Sequence, residues 1–199
     1  MSAIHEHVLQ NGMTLLCWPQ RHLHGLEFGL YLKGGPLYET EETQGISNLL
    51  EHLCFRGLGG LNREGLLREL NRFGTNLDAA TYAEGLVFRL KCLPRFFDAA
   101  LEYFLRFFAN VPWTPEQIAA EKQVVLRQLE ADGDGDLFDR AACDFRKTEN
   151  GAFPPLGTPE SLMALTEADI QLWQEMIFQP QNACLVMTGN FSDGMELAA

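Results

Sequence analysis

What is missing from these 199 residues narrows the field first. No stretch approaches the roughly 18 uncharged apolar residues that read as a membrane-spanning helix. The opening residues, Met1-Ser2-Ala3-Ile4-His5-Glu6-His7, lack the basic start and apolar core of a secretory signal. A cytoplasmic protein without a membrane partner is the expectation. Basic residues are scarce: 15 Lys and Arg face 27 Asp and Glu, for a net charge of −12. Such a balance argues against nucleic acid as the main partner. The surplus acid is either a solubility feature or, gathered on one face, a cavity that attracts basic peptides. The cysteines are odd in number and far apart (Cys17, Cys54, Cys92, Cys143, Cys184), with no C-x-x-C pair. That argues against a thiolate zinc site or a disulfide framework and leaves free thiols buried in a reducing compartment. Repeats, low-complexity tracts and linkers are also absent, so residues 1–199 are expected to form one domain, with 46% hydrophobic residues to fill its core.

What is present centres on Gly45-Ile46-Ser47-Asn48-Leu49-Leu50-Glu51-His52-Leu53-Cys54-Phe55-Arg56-Gly57. Ile46, Leu49, Leu50, Leu53 and Cys54 recur at helical spacing between two glycines, which predicts a short buried helix. Asn48, Glu51 and His52 stand at i, i+3 and i+4 and share one face of it. Burying unpaired polar groups is costly, so such a stripe points to chemistry or to a hydrogen-bond network.

Before this helix, His5–Leu9 and Met13–Trp18 around Asn11-Gly12 predict a hairpin with a type I′ turn. Pro19–Gly25 reads as a loop, in which His22 and His24 are taken as solvated residues rather than ligands. Leu26–Leu32 alternates as a strand. Beyond the helix, Asn62 caps a second one to Arg72 with Leu66, Leu67 and Leu70 as its stripe, and Gly74 ends it. Leu77–Thr81 and Gly85–Cys92 predict strands. Arg95–Asn110 carries aromatic residues at 3.6-residue spacing and reads as one core-facing helix. Thr114-Pro115 starts a helix to about Glu130. Asp132–Asp136 is an acidic turn without calcium-loop spacing. Phe138–Lys147 is expected as a helix, Gly151–Thr158 as a loop, Thr166–Phe178 as a last helix and Asn182–Thr188 as a last strand. The class is α+β, a mostly antiparallel sheet packed against several helices.

With His in place of Asn48, the central run would read His-x-x-Glu-His, the inverzincin motif, in which two imidazoles one turn apart bind zinc and the Glu activates a water. Gly34-Gly35, Tyr38-Glu39-Thr40, Gly45 and Glu51-His52-x-x-Phe55-x-Gly57 complete a frame that resembles the pitrilysin/insulinase family of zinc peptidases, including the mitochondrial processing peptidases. The resemblance covers essentially the whole chain. It implies that family's fold, and it makes this chain the first of two tandem domains, the second absent. It also implies a third zinc ligand on a helix reading Glu-Lys/Arg-x-Val-Val/Ile-x-x-Glu. Here that helix is Glu121 to Gln128, with the first Glu kept as Glu121 and the ligand position occupied by Gln128. The family's peptide-binding edge strand corresponds to Leu77, Asp78, Ala79, Ala80 and Thr81, with Asp78 at an Asn position.

Two of three implied ligands, Asn48 and Gln128, are thus neutral amides, leaving His52 as the one conventional ligand and Glu51 as a vestigial base. Asn48, Glu51, His52, Glu121 and Gln128 are expected to form a polar network in place of a metal site, with no cofactor. The strand Leu77–Thr81 either still binds peptide or is simply a sheet edge. Two functions stay open. One is a catalytically degenerate subunit that binds peptide and pairs with an active homologous peptidase subunit or a second tandem domain. The other is a working zinc metallopeptidase with substituted ligands.

Overall fold

The computed structural model describes residues 4–109, 112–132 and 153–191. Six strands form one sheet in the order β1-β2-β8-β3-β7-β6. In chain order these are β1 (His5–Val8), β2 (Thr14–Pro19), β3 (Leu26–Lys33), β6 (Leu77–Tyr82), β7 (Gly85–Cys92) and β8 (Ala183–Gly189). A separate ribbon pairs β4 (Gly57–Leu58) with β5 (Leu61–Asn62). Every pairing is antiparallel except β2 with β8, which run parallel in the register Thr14↔Cys184 to Pro19↔Gly189. The α+β class holds, and that parallel pair is the one departure from antiparallel order among the described residues.

Alternation decides which face is covered. Leu15 and Cys17 on β2, Phe28, Leu30 and Leu32 on β3, Leu86, Phe88 and Leu90 on β7, and Leu185 and Met187 on β8 are all buried on one side. The helices of the described residues are α1 (Ile46–Cys54), α2 (Arg63–Phe73), α3 (Phe97–Leu105), α4 (Pro115–Asp132), α5 (Pro159–Ala164) and α6 (Glu167–Ile177). None is long and apolar enough to cross a membrane. Helix α3 packs on β3 and β7, while α1 packs against β6, α4 and α6.

Four local expectations are corrected. The first hairpin does not use a type I′ turn, which needs positive φ at both central residues. Only Gly12 has one (φ 87°), Gly12 N–H donates to Leu9 O, and Leu9 N–H donates to Met13 O. This is a type I turn closed by a glycine bulge. On α2 the buried seam is Leu66, Leu70 and Phe73, at i, i+4 and i+7, and Leu67 points outward. The aromatic helix is shorter than 95–110, because Pro94–Phe96 and Arg106–Phe108 are 3-10 turns. Phe104, in the last turn of α3, and Phe107, in the second 3-10 turn, stack at 5.9 Å, with Phe107 4.4 Å from Phe88. Finally, α5 follows the expected loop. Thr158 caps it through a box with Ser161, and Pro159 occupies the first helical position.

The remaining caps are as read. Asn62 accepts from Gly65 N–H, Thr166 from Asp169 N–H and Thr114 from Gln117 N–H. Cys17, Cys54, Cys92 and Cys184 are free. The acidic turn after Asp132, the helix expected over Phe138–Lys147, and Cys143 lie outside the described residues.

Candidate functional site

Helix α1 is fixed at its N-terminus before any functional group appears. The Glu39 carboxylate spans the first turn, accepting from Gly45 N–H (2.8 Å) and Ser47 N–H (3.0 Å). It therefore meets two of the unpaired donors every helix start presents, and does so with the charge sign that position favours. Gly45 has φ 84°, and a Cβ there would lie 2.6 Å from Leu156 O. Only glycine lets the loop before α5 approach this closely. Ser161 Oγ donates to Gln44 O (2.9 Å), and the Trp173 indole N–H donates to Ser47 Oγ (3.1 Å).

One turn further on, the polar face opens. Asn48 and Glu51 are each 9% exposed. Thr81 on β6 donates its hydroxyl to Glu51 Oε2 at 2.5 Å, tying the polar face of α1 to the sheet. Burial pushes the Glu51 carboxyl up, partly offset by the Thr81 hydrogen bond and by nearby His52, while the Asp78 charge pushes it further up. Asn48 Oδ1 is fully enclosed and has no partner among the described residues.

Helix α4 completes the wall. The buried Glu121 receives Arg56 Nε on Oε1, and its Oε2 lies 3.4 Å from His52 Nδ1. Both of its oxygens are thus engaged. The two helices run in opposite directions here: Trp113, just before α4, donates to Gly57 O just after α1 (3.0 Å), and Glu121 then meets Arg56 and His52. Gln128 lies two turns on, about 10.5 Å along the axis, on the same face and toward the end of α1 that carries Asn48. Its side chain is exposed.

The structure brings together Asn48, Glu51, His52, Glu121 and Thr81. Asp78 is exposed on β6, Leu77 is buried, and Ala79 and Ala80 are half-buried. Among the described residues, strand β6 ends the sheet, bonded on one side to β7 alone. Sequence reasoning missed Arg56, although its place one turn beyond His52 puts it on the same face. It also missed the capping role of Glu39, for which no local pattern exists.

These residues do not fit zinc. Among the described residues no group of three His, Cys, Asp or Glu side chains could hold a metal. One imidazole remains, already facing a carboxylate, and the Asn48 oxygen is an uncharged donor that suits zinc poorly.

A model of the family described as Insulinase (Peptidase family M16) matches residues 24–142, more than half of the chain. The chain belongs to the insulinase family. Among its relatives, an uncharacterized zinc protease of Rickettsia felis is 26% identical over 185 residues, covering 92% of this chain and 45% of the relative. A second, from Bacillus subtilis, is 24% identical over 196 residues, covering 96% and 47%. The beta subunit of the mitochondrial-processing peptidase of Caenorhabditis elegans is 27% identical over 146 residues, covering 72% and 32%. This insulinase-family chain therefore spans less than half the length of these relatives. The fold is that of a Helicobacter pylori protease (TM-score 0.87, 21% identity, 96% of this chain and 47% of that one). It is equally that of an M16 inactive domain from Pseudomonas fluorescens (TM-score 0.82, 16% identity, 96% and 47%).

Proposed function

We infer that the chain is a catalytically degenerate insulinase-family subunit, which binds extended peptide along β6 and pairs with an active homologous subunit or a second tandem domain. The observation that carries this reading is the fate of the acid on α4. Glu121 is occupied by Arg56 and His52, and amides stand at Asn48 and Gln128. Glu51 then has no metal-bound water to activate, and its carboxyl is engaged by Thr81 instead. Peptide addition to a sheet edge needs only main-chain hydrogen bonds, and β6 offers a free edge beside the polar face of α1.

The test is co-purification of the full-length product with a homologue carrying an intact His-x-x-Glu-His motif, followed by peptide cleavage. Cleavage is expected from the complex and not from this chain alone, and is abolished by the Glu→Gln change in the partner's motif. Abolition by Glu51→Gln in this chain would instead make it an active peptidase with substituted ligands.

A further inference from the structure

The buried polar face of α1 leaves acceptor capacity unmet among the described residues. Among the described residues, Asn48 Oδ1 is enclosed without a partner and the Glu51 carboxyl has one hydrogen bond, from Thr81. Asp78, across on β6, adds negative charge felt at Glu51. Arg56, one turn beyond His52, is already committed to Glu121. A buried acceptor left unmet costs roughly 1–3 kcal/mol, and a carboxylate beside it favours a donor that carries positive charge.

Resting on the peptide-binding reading above, we propose that Asn48 and Glu51 form a socket for the cationic head of a basic side chain, lysine or arginine, of a peptide lying along β6. An alkylammonium brings three donors and no acceptor, and a guanidinium five. Either head meets the Asn48 oxygen and the Glu51 carboxylate together. Strand β6 supplies the approach, because Ala79 and Thr81 are small and lie on its inner face, and Thr81 itself touches Glu51. A peptide strand paired with β6 turns alternate side chains to that face. The position that held metal chemistry in the motif's intact form thus becomes a charge-selective side-chain pocket.

The experiment measures fluorescence anisotropy of the purified chain with short fluorescein-labelled peptides that differ at one central residue: lysine, arginine, or norleucine as the uncharged isostere. Lysine or arginine is expected to bind about tenfold more tightly than norleucine, the scale of one charge-assisted hydrogen bond. That preference should vanish in Asn48→Leu, which leaves the net charge unchanged, and in Glu51→Gln. Retained norleucine binding shows that both variants are folded. Gain with lysine alone confines the socket to ammonium, and gain with both extends it to guanidinium. A preference that survives Asn48→Leu, or survives moving the lysine by one residue, reports only attraction to an acidic protein and overturns the proposal. Equal binding of lysine and norleucine peptides overturns the socket but leaves peptide binding standing. Absence of binding by all three overturns both.

Discussion

The N-terminal turn of α1 and the polar face that follows it bury polar groups in opposite ways. At the N-terminal end, Glu39 meets two backbone donors, and Ser47 receives the Trp173 indole. Just beyond, among the described residues, Asn48 Oδ1 has no partner and the Glu51 carboxyl has one. The same helix, at similar burial, thus carries one saturated network and one open network. A network kept for stability is closed, since each unmet group costs free energy with no return. The open part coincides with the residues that a zinc peptidase of this family would devote to chemistry.

The largest expected effect comes from closing the open end with metal. Asn48→His with Gln128→Glu would give His52 two conventional zinc ligands at one level of the α1–α4 pair. Equilibrium dialysis should then find one tightly bound zinc per chain, against far less than one equivalent in the parent, and each single change should do much less. A double variant with no gain would show that α1 and α4 are not aligned as described.

Next comes the closed end. Glu39→Leu leaves Gly45 and Ser47 N–H groups buried without an acceptor and should cost about 3 kcal/mol in urea unfolding. Glu51→Gln should change stability by less than about 1 kcal/mol, because its surroundings are not saturated. Equal losses in the two variants would remove the distinction between the ends.

Ser47→Ala removes the acceptor of the Trp173 indole N–H with little change in packing, for an expected loss of about 1 kcal/mol. A loss several times larger would mean that Ser47 holds α6 to α1 by more than this bond.

The smallest effect is pH-dependent. Burial holds the Glu39 carboxyl above its ordinary value of 4.5, against the opposing pull of the Gly45 and Ser47 donors. A raised carboxyl binds its proton more firmly in the native state than in the unfolded one. The contribution of Glu39 to stability is therefore fully present below 4.5 and is lost as pH rises through the folded value. Glu39→Gln should flatten that decline in unfolding curves taken across this range, and an unchanged slope would assign it to other groups.

Much of this was written in local sequence. Strand alternation, the glycine-bounded α1, the caps at Asn62, Thr114 and Thr166, and the common face of Asn48, Glu51 and His52 all follow from periods and side-chain chemistry within a few residues. Leu67 was misread because its neighbour Leu66 fits the same spacing and only packing chooses between them. In the 3-10 turns that bound α3, Phe96 packs on Phe73 of α2 and Phe107 on Phe88 of β7, partners that leave no mark within residues 95–110.

The sequence by itself determined the family frame, the α+β class and the replacement of ligand-type residues by Asn48 and Gln128. Tertiary structure alone decided what became of the groups that remain. Glu121 meets Arg56 across 65 residues of chain in the first case, and Thr81 meets Glu51 across 30. Strand β2 pairs parallel with β8 from opposite ends of the chain. The physical reason is the same in each case. A hydrogen bond or ion pair depends on distance in space, and spacing in sequence specifies that distance only within one helix, strand or turn.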